Sequence, residues 1–305
     1  MRRRTLLLLT ATALTGCQSS GQPPAGRVRI ATGSTAAVYY AYGTAIERLI
    51  RQRLPGVQPS VLVTAASAEN VRLVLAGDGE VGFTQADIAA AADSGELRAL
   101  ARLYDDYVHL VVRQASDVQR LADLRGHRVS LGAPGSGTEV TVARLLSVGP
   151  PELGGALQKL QLGLDESVTA LRESRIDAFF FSGGLPVGAI DSLAKSVAIR
   201  MVDLRDFVEP LRKKYGEYYA ERVVPLSTYS GIGPTATIGI PNYLVVRATM
   251  AEPLAYALTK LLFDGKDALA KAHPAGARLN VRTAISTPPL ALHPGAARYY
   301  RDIKE

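Results

Sequence analysis

One pattern constrains this chain more than any other. A strand, a glycine-bearing polar turn, a helix, a second strand, a capped helix and a third strand occur in that order twice. In the first pass Val28–Ala31 is short and β-branched, and Thr32-Gly33-Ser34 is the turn. From Ala37 to Arg53 the spacing is helical and puts Tyr42, Ile46, Leu49 and Ile50 on one face, until Pro55-Gly56 stops it. Val61–Val63 is the second strand. Ser67 reads as the N-cap of a helix that runs through Val71, Leu75 and Ala76 to Gly77, and Val81–Phe83 is the third strand. In the second pass the strand is Val129–Leu131, the turn Gly132 to Gly137 and the helix Thr138–Val148. Leu160–Leu162 is strand-like, Asp165 caps a helix through Val168 and Leu171, and Ile176–Phe181 closes the unit.

Such a repeat predicts an α/β protein of two similar units, each with a parallel sheet, and hence two lobes with a cleft between them. The 305 residues suffice for one large domain or two smaller ones. Val108–Arg113 and Thr237–Val246 are extended segments near the unit boundaries and are candidates for strands crossing between lobes. Glu252 to Glu305 is mostly helical in pattern and, if the chain crosses twice, returns to the first lobe. The expected division is 27–110 plus 243–305 for lobe one and 111–242 for lobe two.

The front of the chain is read separately. Arg2-Arg3-Arg4 is a basic stretch, Thr5 to Leu14 is apolar but too short to span a bilayer, and Leu14-Thr15-Gly16-Cys17 follows. This resembles a bacterial lipoprotein signal ending at a lipobox, with Cys17 as the lipidated residue. Residues 18–26, rich in Gln, Ser, Gly and Pro, then form a flexible tether. The adjacent arginines leave both general and twin-arginine export open. The expected location is therefore outside the cytoplasm, anchored to a membrane through Cys17.

Several function classes are disfavoured. Of the 35 basic residues three lie at Arg2–Arg4, which leaves 32 against 28 acidic ones. So small an excess, with no run of five like charges, gives no reason to expect nucleic acid as a partner. Cys17 is the one cysteine, so the rest of the chain has no disulfide, thiolate nucleophile or zinc–cysteine site. His109, His127, His273 and His293 fall in no metal-binding spacing, and no G-x-S-x-G elbow is present. Gly231 to Ala236 fits a loose dinucleotide pattern but contains Pro234 and precedes a strand-like run. Gly132 to Thr138 looks like a phosphate loop without its lysine. No metal and no cofactor are expected.

What remains is a pair of polar turns that open helices, Thr32-Gly33-Ser34-Thr35 and Ser136-Gly137-Thr138. A helix N-terminus presents unpaired N–H groups and about half a positive charge, and hydroxyls add donors. One such turn mostly caps its own helix. Two matched turns at the carboxyl ends of strands are a candidate anion site. Asn70 and Gln85 add amides, and Tyr39 stands one turn into the first helix. Ser67 and Gly184 complete the candidate ligand-binding set.

These residues carry a family resemblance. Ala31-Thr32-Gly33-Ser34-Thr35 with Val38-Tyr39-Tyr40 resembles the opening motif of the TAXI solute receptors of TRAP transporters. Ser67-Ala68-Glu69-Asn70, Gln85-Ala86-Asp87, Gly135-Ser136-Gly137-Thr138, Ile176-Asp177-Ala178-Phe179-Phe180, and His293-Pro294-Gly295-Ala296 with Arg298-Tyr299-Tyr300 also fit, in order. Ala36-Ala37 and Ala41 depart from it, standing where the family has two glycines and a proline. The first departure narrows the backbone's approach to a ligand. The resemblance implies a periplasmic-binding-protein-like (type II) fold and a small carboxylate ligand such as glutamate, glutamine or a dicarboxylate. It also implies delivery to integral membrane TRAP subunits driven by an ion gradient, without catalysis. Two other roles stay open: a ligand-binding sensor subunit, and an extracytoplasmic hydrolase with Ser34 or Ser136 as nucleophile.

Overall fold

The computed structural model describes residues 24–92 and 95–304, so Cys17, the signal segment and most of the tether lie outside the described residues. The first unit is β1 (Gly26–Ala31), α1 (Val38–Arg53), β2 (Val57–Leu62), α2 (Ser67–Ala76), β3 (Val81–Gln85) and α3 (Ala86–Ala92). β1 pairs in parallel with both β2 and β3. The long β4 (Leu97–Arg113) leads into the second unit. There β5 (Arg128–Ser130), α4 (Gly137–Val148), α5 (Leu153–Ala156), β6 (Gln158–Leu160), α6 (Leu164–Arg172) and β7 (Ala178–Gly183) repeat the order. β5 pairs in parallel with β6 and β7. The chain continues through α7 (Gly188–Ser196), β8 (Ile199–Met201), α8 (Val208–Tyr215) and β9 (Ala220–Val224) into β10 (Thr235–Arg247). It ends in α9 (Glu252–Asp264), α10 (Lys266–Ala272), α11 (Val281–Ala284) and α12 (Pro294–Asp302).

Hydrogen bonding joins the two parallel sheets instead of leaving them separate. The path runs β2-β1-β3-β10-β4-β7-β5-β6, with β8 on β4 and β9 on β10. β4 and β10 make the join because each changes partner halfway along. The first half of β4 lies against Tyr243–Arg247, and its second half, from Tyr107, lies against β7. β10 pairs with β9 up to Gly239 and with β3 from Asn242 onward. All these pairings are antiparallel. Between Pro241 and Tyr243 the register slips; a proline has no N–H to offer a ladder, so a break in pairing belongs there.

The apolar interior divides near the same place. Val28, Ile30, Tyr42, Ile46, Phe83 and Leu100 pack with Leu244, Leu258, Leu262 and Tyr300, so the C-terminal helices cover the first unit. Leu110, Leu121, Val142, Phe180, Leu211 and Ile238 form a separate core in the second unit. Each parallel sheet carries a further cluster, around Val71, Val74 and Val245 in the first and around Leu171, Phe179 and Ile190 in the second.

Local endings differ in instructive ways. Ser67 is the first residue of α2, not its cap; the cap position is Ala66, held at φ 82°. A non-glycine residue there carries about 1–3 kcal/mol of strain, a feature that clusters at functional sites. Asp165 lies inside the first turn of α6, whose cap is Gly163. At α4 the cap is Ser136, whose Oγ accepts from the Glu139 N–H at 3.1 Å.

Candidate functional site

The carboxyl ends of β1, β2, β3, β5, β6 and β7 all open on one place. The turns that follow them meet across the line between the two units and surround a cavity of about 150 Å³. In open α/β sheets ligands gather at this edge. A space of this size takes roughly six to ten non-hydrogen atoms.

Of the residues singled out from sequence, Gly33, Ser34, Tyr39, Ser67 and Gln85 line the cavity from one side and Ser136, Gly137, Thr138 and Gly184 from the other. Thr32, Thr35 and Asn70 do not. Asn70 is fully buried, and its amide is spent on the backbone. Nδ2 donates to the carbonyls of Thr32 (2.6 Å) and Phe83 (2.9 Å), and Oδ1 accepts from Thr64 Oγ1 (2.6 Å). Thr32 is buried as well, with Oγ1 donating to the Leu62 carbonyl at 2.7 Å. Both residues hold the turns in place and leave nothing for a ligand. Thr35 faces solvent.

Gln85 is the centre of the polar network. Nε2 donates to Ser182 Oγ (2.6 Å) on β7 and to Asp106 Oδ2 (3.0 Å) on β4, and Oε1 accepts from Thr141 Oγ1 (3.3 Å) on α4. The amide thus spans both units. Beside it Tyr39, stacked on Phe83 at 5.1 Å between ring centroids, donates to Asn242 Oδ1 and lies 3.2 Å from Ser67 Oγ. Burial holds the Tyr39 phenol well above its ordinary pKa, with Asp106 adding to the effect, so it remains a neutral donor. Thr138 Oγ1 accepts from the Ser182 N–H at 3.0 Å. Outside the cavity the units are tied again. Asp87 on α3, with its side chain wholly buried, accepts from Arg144 (2.6 Å) on α4 and from the Tyr219 hydroxyl (2.8 Å). Burial raises the Asp87 pKa, and Arg144 and Tyr219 oppose that rise.

Several lining residues escaped the sequence reading: Thr64, Tyr104, Asp106, Phe180, Phe181, Ser182, Pro186, Val187 and His273. Asp106 left a signal. It stands in Tyr104-Asp105-Asp106-Tyr107, a pair of carboxylates inside a largely apolar extended run. Asp105 explains itself through ion pairs to Arg102 and Arg222. Asp106 is only 4% exposed, and its Oδ1 has no hydrogen-bond partner. Burial pushes its carboxyl up to about 7, against the opposing pull of the Gln85 and Asn242 amides. No lysine or arginine is among the described residues lining the cavity.

Among the described residues neither Ser34 nor Ser136 meets a base. Ser34 Oγ meets only the Ala36 N–H, and Ser136 Oγ only that of Glu139. His273 is engaged with the Pro186 carbonyl at 3.1 Å and the Ala275 N–H at 3.1 Å. His109 is buried between the Tyr107 carbonyl and the Tyr229 hydroxyl, both at 2.8 Å, and burial lowers its pKa to about 4. Among the described residues no group of three or more His, Cys, Asp or Glu is placed to hold a metal, and no helix is long and apolar enough to cross a membrane.

Two α/β lobes joined by long antiparallel strands, with a polar cavity at the strand ends between them, define the architecture of the periplasmic binding proteins. Solved structures agree. The periplasmic aliphatic sulphonate binding protein SsuA of Escherichia coli is similar over 92% of this chain and 83% of its own, with a TM-score of 0.51 and 16% identity. A putative L-cystine ABC transporter protein of Listeria monocytogenes is similar over 81% and 93%, with a TM-score of 0.54 and 15% identity. A putative phosphate ABC transporter substrate-binding protein of Clostridium perfringens is similar over 81% and 98%, with a TM-score of 0.52 and 15% identity. Within that architecture the chain belongs to the NMT1-like family, whose model matches residues 30–303.

Proposed function

We propose that this chain is an exported solute-binding receptor, not an enzyme, that captures a small polar solute between its lobes and hands it to membrane transport subunits. The observation that carries the reading is the cavity: it lies between two units, at the strand ends, ringed by helix-opening turns and lacking a nucleophile paired with a base. The lobes are taken as 27–110 with 243–305, and 111–242; Val108 and Leu110 pack in the second core, which favours a crossing on β4 a few residues before 110. Gly33, Ser34, Tyr39, Ser67, Ser136, Gly137, Thr138 and Gly184 are the residues facing the solute. The free N–H groups that open α1 and α4 hold its carboxylate, since a carboxylate leaving water needs replacement donors. Cys17 anchors the protein by lipid to a membrane surface outside the cytoplasm.

The TAXI motifs favour TRAP membrane subunits as the partner. A second reading, an ABC-type partner, is favoured by solved structures of the same fold whose names refer to ABC transport. Uptake measured in cells separates them: a TRAP partner loses uptake when the ion gradient is collapsed with ATP maintained, and an ABC partner does not. The receptor reading itself is tested by a thermal-shift screen of amino and organic acids on the full-length chain. A true ligand at 100 times its dissociation constant stabilises the fold by about 2.7 kcal/mol. A complete screen without a stabilising solute would overturn the reading.

A further inference from the structure

Resting on that receptor reading, we infer that Asp106 is the specificity-determining residue of the cavity, selecting a solute that presents an ammonium or other N–H donor over one that presents a second carboxylate. The argument begins from an unmet need. A carboxyl group so deeply buried normally has every oxygen paired, because unpaired burial is strongly unfavourable. Asp106 Oδ2 is satisfied by Gln85 at 3.0 Å, but Oδ1 is buried without a partner in a residue that lines the cavity. The same Gln85 also reaches Ser182 in the other lobe, so the carboxyl is held at the seam where both lobes meet the solute.

The lining therefore carries groups of opposite character. Its rim is made of helix-opening turns, which favour negative charge. Asp106 is an acceptor, and no lysine or arginine of the lining offsets it. A dicarboxylate would set its second anion against Asp106. A solute that carries both a carboxylate and an ammonium answers both, and brings a donor to the Asp106 carboxyl.

The charged neighbours of this group are themselves paired. Facing it are Tyr39 on α1, Tyr104 and Asp105 on β4 and Asp87 at the start of α3. Burial keeps both phenols neutral, Asp105 is paired with Arg102 and Arg222, and Asp87 is paired with Arg144. His273, also in the lining, is held below its ordinary pKa by burial, which favours its neutral form. A solute ammonium should bind the ionised form of Asp106, so its affinity should rise roughly tenfold from about pH 6 to about pH 8.

The test is calorimetry on the full-length chain with pairs that differ only in the ammonium: glutamate against glutarate, alanine against propionate, 4-aminobutyrate against butyrate. The tightest binder is expected to carry an ammonium and to exceed its partner by tenfold or more. Asp106→Asn should shrink that ratio to within about threefold while leaving the affinity for the acid lacking an ammonium unchanged or higher. A purely structural residue would lower both affinities together. Should the variant fail to fold, the wild-type pH profile decides: a flat profile for the best ammonium probe overturns the inference. A tighter fit to glutarate, propionate or butyrate also overturns it and leaves the receptor reading standing. Binding of none of the six overturns this inference, and the wider thermal-shift screen then judges the receptor reading separately.

Discussion

Gly137 offers a substitution whose effects on folding and on binding should separate. It opens α4 on the second lobe, and a Cβ built there falls 2.5 Å from Gln85 Oε1, 3.1 Å from Gln85 Cδ and 2.9 Å from Ser67 Oγ, all on the first lobe. Gln85 has little freedom to yield, since its amide is bonded to Asp106, Ser182 and Thr141. Moving it aside breaks bonds worth about 0.5–1.5 kcal/mol each. Overpacking of this kind destabilises by about 1–3 kcal/mol. The collision exists only where the lobes meet, so if the empty protein opens, the penalty falls on the state that encloses solute. Within the second lobe alanine is a better helix former than glycine, by up to about 1 kcal/mol. Gly137→Ala should therefore keep or slightly raise the melting temperature of the empty protein and weaken solute binding by roughly 5- to 150-fold. Calorimetry with the solute found by thermal shift gives the affinity, and small-angle scattering reports whether the solute still compacts the molecule. An affinity within twofold of wild type, with normal compaction, would refute the account of how the lobes meet.

Three further outcomes are expected. Asn70→Ala removes three buried hydrogen bonds without touching the cavity, so it should lower stability by about 2–4 kcal/mol in chemical denaturation; affinity in the folded fraction should change little. Arg144→Met leaves the buried Asp87 with the Tyr219 hydroxyl and the Ile88 N–H but no cation, and should lower stability by about 3–5 kcal/mol at neutral pH. The Asp87 pKa is already raised on folding, so its stabilisation is greatest below its unfolded value and is lost as pH rises. Removing Arg144 raises it further, and the deficit of the variant should shrink as denaturation is repeated toward about pH 4. Cys17→Ser should move the protein from the membrane fraction to the soluble fraction on cell fractionation; equal retention would refute the lipid anchor.

The repeat of strand, turn and helix was legible because each element needs only local signals. Alternating β-branched residues, a helical apolar face such as Tyr42, Ile46 and Leu49, and a glycine stop at Gly77 are properties of adjacent residues. So were the turns around Gly33 and Gly137, which a helix start and its polar residues announce. The extended segments were seen as candidates for crossing strands but underestimated in length: Val108–Arg113 is the far half of a strand that begins at Leu97. The charged residues Arg102, Asp105 and Asp106 interrupt its apolar pattern, and the ion pair between Arg102 and Asp105 along the strand, that of Asp105 with Arg222 on β9 and the Gln85 contact make them tolerable there.

The division of labour among the candidate residues was beyond the sequence. Asn70 and Gln85 are both amides after or within a capped segment, and nothing local separates them. Tertiary packing points one at the backbone of its own lobe and the other across to Ser182, 97 residues away. By itself the sequence determined the two α/β units, the turns that open their helices and the absence of a cysteine or metal motif from the rest of the chain, because these follow from neighbours and composition. It took the folded chain to show that the two sheets join through β4 and β10, that Thr32 and Asn70 brace the turns and do not line the cavity, and that Asp106 stands in the lining with one oxygen unpartnered among the described residues. Those facts depend on which distant groups satisfy or fail to satisfy a buried polar atom, and that accounting closes only when the whole chain is folded.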